Sequence, residues 1–244
     1  MTDTIIKQAV ILAAGQGSRM NVTDDVSFSK AMAPILNKPL VTFIIDAILN
    51  AGINEIVIVK KDNDRTIENI VHHYGNQDVR FTFISDDIKN GSLTSFYFVK
   101  EAVEYPFLLV DCDLILNANK FPSALKYAVE KYEDENKLFG LVSVVSNPIK
   151  TDKKMLRVAN GKALEFNKKG FEDGRIGGMI YIFFSNPFLH CKHIIDDGVT
   201  SFAFFFNRLI LAENFGVMEV EKLWDVDTLE DIKLTENLLL GGIL

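Results

Sequence analysis

The sequence has few of the residues that mark several large protein classes. Its 244 residues include two cysteines, six prolines and one tryptophan. The two cysteines, Cys112 and Cys191, cannot build a disulfide framework. With no signal peptide visible, a reducing cytoplasm is the expected compartment. Apolar runs such as 176–184 fall short of the roughly 20 residues that cross a bilayer, so we expect no membrane insertion.

Positive charge is also in short supply. Lysine and arginine number 26 against 33 aspartates and glutamates, which gives a net charge of −7. This balance argues against a protein that coats nucleic acid or an anionic membrane. A phosphate-binding site would therefore need a local cluster of basic side chains. The length suits one domain with a substantial core, and without internal repeats or linkers we expect a single domain over 1–244.

Apolar runs alternate with segments whose apolar residues recur at helical spacing. The expected strands cover 5–13, 55–59, 79–84, 107–110, 139–145, 180–184 and 217–220. The expected helices cover 38–51, 65–74, 93–102, 121–132, 200–214 and 228–240. This order predicts the α/β class, with a doubly wound, mostly parallel mixed sheet and helices on both faces.

Residues 147–175 interrupt this order because they are polar and rich in turns. Within them, Asn160-Gly161 is a strong turn signal and predicts a hairpin that pairs 155–158 with 163–166. We interpret 147–185 as a segment inserted into the domain and facing the substrate.

The most informative motif is the glycine loop, Val-Ile-Leu-Ala-Ala-Gly-Gln-Gly-Ser-Arg-Met at 10–20, which Lys30 follows ten residues later. Glycines let backbone N–H groups approach an anion closely. Arg19 and Lys30 can supply the charge that a triphosphate needs. A dinucleotide-binding turn is the rival interpretation, but Met20 replaces its third glycine. A tight turn without a ligand is the plain structural alternative.

Two acidic motifs come next. Asp111 and Asp113 end a hydrophobic strand, where ligands bind in open α/β folds, and Mg²⁺ favours such carboxylates together with phosphate oxygens and water. Asp225 and Asp227 belong to Trp-Asp-Val-Asp-Thr-Leu-Glu-Asp at 224–231. Helix capping explains either motif as well: Asp227 or Thr228 would cap the last helix.

Residues 12–19, Lys30 and the two acidic motifs together resemble the nucleotidyltransferases that couple a nucleoside triphosphate to a sugar phosphate or polyol phosphate. That family carries Leu-Ala-Ala-Gly-x-Gly-x-Arg, then Pro-Lys, with Ser29 here in place of the proline. Leu229 likewise replaces the proline of the family's second acidic motif. The resemblance implies the nucleotide-diphospho-sugar-transferase fold. It also implies Mg²⁺ bound by Asp113 and Asp227, with Asp111 and Asp225 as further candidate ligands.

The resemblance also assigns substrate contacts. Arg19 and Lys30 are the implied catalytic residues. The implied nucleotide-binding residues are Leu12, Ala13, Ala14, Gly15, Gly17, Ser18, Arg19, Lys30, Gly91 and Ser92. Capping of a helix by Asn90 or Ser92 explains the turn at 90–95 equally well. Lys168, with Lys169 beside it, would hold the acceptor's phosphate, and Gly178 would leave room for the acceptor.

The implied reaction joins a nucleoside triphosphate to a small phosphorylated or phosphonylated acceptor and releases pyrophosphate. The C-terminal motif looks most like that of cytidylyltransferases acting on inositol phosphate, choline or phosphonate acceptors, so CTP is favoured. The alternatives are a sugar-1-phosphate nucleotidyltransferase using UTP, GTP or dTTP, and a nucleotide-binding regulatory module without turnover. No nucleic-acid partner is expected, and the apolar end at 238–244 is compatible with a homo-oligomer.

Overall fold

The computed structural model describes residues 5–15, 29–62, 64–75, 78–86, 91–132, 138–150 and 154–243. Its strands, in chain order, are β1 Gln8–Leu12, β2 Pro34–Ile35, β3 Lys38–Pro39, β4 Glu55–Lys61, β5 Arg80–Asp86, β6 Phe107–Asp111, β7 Leu114–Leu116, β8 Gly140–Val145, β9 Leu156–Ala159, β10 Lys162–Phe166, β11 Gly177–Phe183, β12 Phe215–Val220 and β13 Leu223–Asp225. Its helices are α1 Leu40–Asn50, α2 Ile70–His73, α3 Gly91–Tyr97, α4 Phe121–Tyr132, α5 Phe188–Asp196, α6 Phe202–Ala212 and α7 Leu229–Leu240.

Nine of these strands form one mixed sheet in the order β5-β4-β1-β6-β11-β8-β12-β10-β9. Seven of the nine run in the same direction, and β10 and β11 are reversed. The central strands β1, β4 and β6 are buried over most of their length and have continuous apolar runs of four residues each, as buried parallel strands do. Their carboxyl ends lie side by side at one edge of the sheet.

Alternate side chains of the central strands enter two separate cores, because successive residues of a strand face opposite sides. Ile11 and Val110 face the core covered by α1 and α4. Val10 and Leu109 face the core covered by α3, α5 and α6, which holds most of the phenylalanines. The predicted α/β class, with helices on both faces of a mostly parallel sheet, is confirmed.

A third, smaller core lies beside the sheet edge and fixes the last helix. Trp224 is 1 % exposed there and donates from its indole N–H to Thr235 Oγ1 at 3.2 Å. The members of this core are Ala33, Ile35, Leu40, Ile115, Trp224 and Val226. Burial of this cluster holds β7, β13 and the start of α7 together.

Several element predictions need correction. The helix expected at 65–74 is a 3-10 turn at Ile67–Asn69 followed by the four residues of α2. It starts late because Asp64 accepts hydrogen bonds from both the N–H and the hydroxyl of Thr66, which takes up the first turn. The strands β7 and β13, each three residues long, were not predicted.

The segment at 147–185 is only in part an insertion. The hairpin of β9 and β10 forms as predicted, with Asn160 and Gly161 at φ +50° and +75°, as a turn of this kind requires. By contrast, β11 is a central strand that pairs with both β6 and β8. The polar composition of 147–175 therefore marks the edge of the sheet, while 177–183 belongs to its centre.

Candidate active site

The site is built where three parallel strands end. Ala13 donates its N–H to Val59 O at 2.8 Å, and Cys112 donates to Leu12 O at 3.3 Å. These bonds continue the pairing of β1 with β4 and β6 beyond the strands themselves. As a result, the start of the glycine loop and Asp111 lie side by side at the sheet edge.

The described part of the glycine loop is Leu12–Gly15. Ala13 and Ala14 are buried in opposite cores, at 2 % and 4 % exposure. Gly15 is exposed, and a Cβ added there would meet open space. Small side chains thus leave the backbone accessible where the strand ends. Gly17, Ser18 and Arg19 lie outside the described residues, so their placement at the nucleotide stays a prediction.

The short strands β7 and β13 bring the two acidic motifs together. They pair antiparallel, with Asp225 opposite Leu114. Val226 donates its N–H to Asp113 O at 2.9 Å, which fixes the second motif against the first. Their side chains Leu114, Ile115, Leu223 and Trp224 are all buried. Apolar packing therefore sets the approach of these carboxylates.

Lys30 lies between the two motifs. It opens a 3-10 turn at Lys30–Met32, and Leu40 at the start of α1 holds this turn by donating to Ala33 O at 2.8 Å. The Lys30 ammonium donates to Asp113 Oδ2 and, at 2.6 Å, to Asp227 Oδ1. Three side chains that are 83 and 197 residues apart along the chain thus meet at one point.

The electrostatics keep Lys30 charged. Burial opposes its charged form, but the charges and hydrogen bonds of Asp113 and Asp227 outweigh burial and raise the pKa of Lys30 well above its usual range. The side chain is 12 % exposed. Lys30 therefore carries a fixed positive charge at neutral pH and is unsuited to act as a general base.

Thr228, rather than Asp227, caps helix α7. Its hydroxyl accepts from Asp231 N, and Asp231 Oδ2 accepts from Thr228 N, which completes a capping box. Asp231 Oδ2 also accepts from Asp227 N at 2.9 Å. The capping interpretation and the site interpretation therefore hold together, because they use different side chains.

Two further carboxylates adjoin the pair. Desolvation by the surrounding protein and the charge of Asp113 raise the pKa of Asp111 to about 7, although one side of Asp111 is open to solvent. The Lys168 ammonium acts on the same carboxyl in the opposite direction. Burial, followed by the charge of Asp227, raises the pKa of Asp225. Lys168, an exposed residue just after β10, is thus near enough for its charge to act on Asp111.

The glycine and serine residues named above have contacts within the protein core. A Cβ at Gly178 would lie 2.4 Å from the Phe166 ring, so a core side chain fills the space on this side of the glycine, and the acceptor contact of Gly178 stays a prediction. Gly91 is packed against Thr200 in the same way. The Ser92 hydroxyl accepts from Phe202 N at 3.0 Å, which ties α3 to α6. Ser92 lies inside α3 and does not cap it, Asn90 lies outside the described residues, and the nucleotide contacts of Gly91 and Ser92 stay predictions.

The donor set suits one type of ion. Asp113 and Asp227 converge on one cationic group, and Mg²⁺ takes one or two carboxylates together with phosphate oxygens and water. Within the described part of the chain, no cluster of three or more histidine, cysteine, aspartate or glutamate side chains is arranged to hold a metal. Two converging carboxylates therefore fit an ion that arrives with a phosphate and do not fit an ion enclosed by protein ligands.

The sequence did not indicate Lys150, which lies behind the site, or its contact with Asp231. Lys150 forms an ion pair with Asp231 at 2.7 Å. Its only signal in the sequence was its place as one of several lysines in a polar segment. The partner lies 81 positions further on (231 − 150), and no local pattern connects them.

Comparison with known proteins decides the family. Residues 9–147, more than half of the chain, match the MobA-like NTP transferase domain. The chain belongs to this family. The glycine loop at the end of β1, Lys30 and Asp113 after β6 fall within the matched residues, whereas Asp227 lies beyond them. Within the described part of the chain, no helix combines the length and apolar character needed to cross a membrane.

Two relatives of this MobA-like protein are named for different substrates. It is 24 % identical to the choline-phosphate cytidylyltransferase of Streptococcus pneumoniae, over 94 % of this chain and 100 % of that protein. It is 39 % identical to the UTP–glucose-1-phosphate uridylyltransferase of Escherichia coli K12 over 67 residues, 28 % of this chain and 22 % of that protein. The chain thus matches less than a quarter of the uridylyltransferase.

A solved structure shows the same fold. The inositol-1-phosphate CTP transferase from T. maritima aligns with a TM-score of 0.79 and 17 % identity, covering 96 % of this chain and 97 % of that one. The predicted nucleotide-diphospho-sugar-transferase-like fold is confirmed. At this level of identity the likeness concerns the fold, and the substrate is a separate question.

Proposed function

We propose that the protein is an Mg²⁺-dependent nucleotidyltransferase that joins a nucleoside triphosphate, CTP in the first place, to a small phosphorylated or phosphonylated acceptor and releases pyrophosphate. The observation that carries the proposal is the convergence of Lys30, Asp113 and Asp227 at the carboxyl edge of the sheet. This is the edge at which open α/β folds bind their ligands.

In the proposed reaction, an oxygen of the acceptor's phosphate attacks the α-phosphorus of the triphosphate in line, and the bond to pyrophosphate breaks. This oxygen is already ionised at neutral pH, so the protein need not supply a base. The chain contributes position and charge. An ammonium has three donors: Lys30 directs two at carboxylates, and we assign the third to the phosphates of the nucleotide.

We assign the triphosphate, the acceptor and the metal ion to further residues as follows. Backbone groups of 13–15 and Arg19 would hold the triphosphate, and Lys168 would hold the acceptor's phosphate. Asp113 and Asp227 would hold Mg²⁺, which when bound draws negative charge from the phosphate oxygens. The charge of Lys168 already reaches Asp111, which supports an acceptor position near Asp111.

We favour CTP because the cytidylyltransferase relative matches a larger share of this chain than the uridylyltransferase relative does. The cytidylyltransferase relative matches along nearly the whole of both chains, whereas the uridylyltransferase match covers 28 % of this one. The higher identity of the shorter match, 39 %, supports a uridylyl- or other sugar-1-phosphate nucleotidyltransferase as the second candidate.

Pyrophosphate release tests the proposal. CTP, UTP, GTP, ATP and dTTP are each combined with Mg²⁺ and with inositol 1-phosphate, glycerol 3-phosphate, phosphocholine, 2-aminoethylphosphonate and hexose 1-phosphates. We expect release with one nucleotide and one acceptor, and its loss in K30M. K38M, which removes an exposed lysine on β3, is the matched control and should retain activity. Nucleotide binding without release for any pair would favour the regulatory-module alternative.

A further inference from the structure

Lys150 contacts the second acidic motif from behind the site. Its ammonium donates to Asp225 O at 2.6 Å and forms an ion pair with Asp231 Oδ1 at 2.7 Å, while Asp225 Oδ1 is 3.8 Å away. The backbone before it is fixed, because Asn147 donates to Glu221 O at 2.8 Å and Ile149 packs against the third core. The Lys150 side chain is 25 % exposed. Lys150 is therefore held in place from both ends.

Asp231 transmits this contact toward the site because its two oxygens have different partners. Oδ1 faces Lys150, while Oδ2 accepts from the N–H groups of Asp227 and Thr228, at 2.9 Å each. These two bonds fix the backbone from which the Asp227 side chain projects to Lys30. A continuous series of polar contacts thus joins Lys150 to the site through Asp231.

We propose that Lys150 is a positioning residue that acts through Asp231 to hold the Asp227 carboxylate where a divalent cation and the nucleotide's phosphates bind. The inference rests on the proposed function for its effect on turnover. The mechanical link itself is a property of the fold and can be measured without substrates.

A plain counter-charge role makes the opposite prediction. If Lys150 only neutralised Asp225 and Asp231, its removal would leave the motif more negative and divalent cations would bind more tightly. If it positions Asp227, its removal disorders one of the two ligands and cations bind more weakly. Loss of a residue that orients a metal ligand typically costs about tenfold or more in affinity. The sign of the change therefore separates the two roles.

The first experiment measures Mn²⁺ binding to the full chain by electron paramagnetic resonance in the presence of inorganic pyrophosphate, because two carboxylates fit an ion that arrives with phosphate oxygens. K150M should weaken binding about tenfold, K150R should stay within about threefold of wild type, and K154M should match wild type. Lys154 is the control because it is exposed and its ammonium contacts the backbone oxygen of Glu172. Unchanged or tighter Mn²⁺ binding by K150M would overturn the proposal.

The second experiment tests the route through Asp231. D231N keeps one oxygen for the N–H groups of Asp227 and Thr228 but loses the charge that attracts Lys150. The double variant K150M/D231N should bind Mn²⁺ no more weakly than the weaker single variant, since both changes break one link. Additive losses would show that Lys150 acts independently and would refute the inference. If K150M does not fold, weaker binding by D231N supports the link and unchanged binding overturns it.

Trp224 provides a readout that does not depend on activity. It is the single tryptophan, it is 1 % exposed, and it is adjacent to Asp225. Blue-shifted emission in K150M would show that the fold persists while Mn²⁺ affinity falls. With substrates present, we expect the Mg²⁺ concentration for half-maximal rate to rise while KM for the acceptor is unchanged. Absence of turnover in wild type would contradict the proposed function and leave the Mn²⁺ and fluorescence results standing.

Discussion

Lys30 is the residue on which the charges of the site depend. It forms ion pairs with two carboxylates that come from different acidic motifs, and these carboxylates in turn keep it protonated. Removal of the ammonium leaves Asp113 and Asp227 facing each other and removes the group assigned to the phosphates. A methionine has similar length and keeps the apolar stem packed, so the fold should persist.

We expect K30M to lower kcat by about 100-fold or more, the effect of removing one preorganised charged donor. The measurement is steady-state pyrophosphate release, with circular dichroism to check the fold. A folded K30M enzyme with near-normal kcat would remove Lys30 from the mechanism.

Asp113 gives a separate prediction because it follows β6, the strand next to β1. Asp113→Ala should abolish Mg²⁺-dependent release, since one of two converging carboxylates is lost. Asp197→Ala, at an exposed helix end, is the matched control and should behave as wild type. Retained Mg²⁺ dependence in the Asp113 variant would show that the metal assignment is wrong.

At the scale of elements, alanine substitution tests how Gly178 on β11 packs against its neighbour. Gly178 and Gly198 have the same φ, +80° and +79°, but only Gly178 is packed against another side chain, Phe166. Alanine at Gly198 should cost about 1 kcal/mol of unfolding free energy, from backbone strain alone. Alanine at Gly178 should cost about 1–3 kcal/mol more, because the Phe166 ring must move. Urea unfolding of both variants gives the difference. Equal losses would contradict the packing described for Gly178.

The site depends on the elements that the sequence pattern could not reveal. Long segments with clear periodicity, such as α1 and α4, were predicted close to their observed bounds. β7 and β13 are three residues each, too short for any period to be recognised. They form because Trp224 and Ile115 are buried together, a contact between residues more than a hundred positions apart. Tertiary packing thus forms two strands that the local sequence pattern does not predict.

At the scale of the whole molecule, the stability should depend on pH through Asp111. Its pKa is raised to about 7 in the folded protein from an ordinary value of 3.8, so ionisation of Asp111 favours unfolding. Its unfavourable contribution is absent below pH 3.8 and grows as the pH rises toward 7. The raised pKa of Lys30 has the opposite effect: protonation of Lys30 favours the folded state, and this contribution is complete at neutral pH and is lost only as the pH rises above 10.5 and through the raised pKa.

We therefore expect Asp111→Asn to raise Tm at pH 8 in metal-free buffer, with a smaller gain at pH 5. Calorimetry at the two pH values measures this difference. An equal gain at both values would indicate a packing effect and would contradict the charge argument. The comparison is made without metal because a divalent cation would change the charge on these carboxylates.

The fold class was predictable because alternation of strands and helices is a property of the whole chain. The location of the candidate site was predictable too, since parallel strands end at one edge and Lys30, Asp113 and Asp227 follow recognisable motifs. The role of Lys150 was not, because its contacts arise from chain segments that meet only in three dimensions. The packing of Phe166 against Gly178 was not predictable either, because a glycine gives the same signal whether a ligand or a phenylalanine ring fills the space beside it.

The separation of Lys30, Asp113 and Asp227 along the chain also has a consequence for biosynthesis. Lys30 and Asp113 are synthesised well before Asp227. At about 5–20 residues added per second, this interval lasts several seconds or more. During that time the nascent chain has the glycine loop but lacks β13 and Asp227. Incomplete chains therefore lack one of the two converging carboxylates, and the cluster of Lys30, Asp113 and Asp227 can form only once β13 has paired with β7. The order of synthesis itself delays assembly of the cluster until the chain is nearly complete.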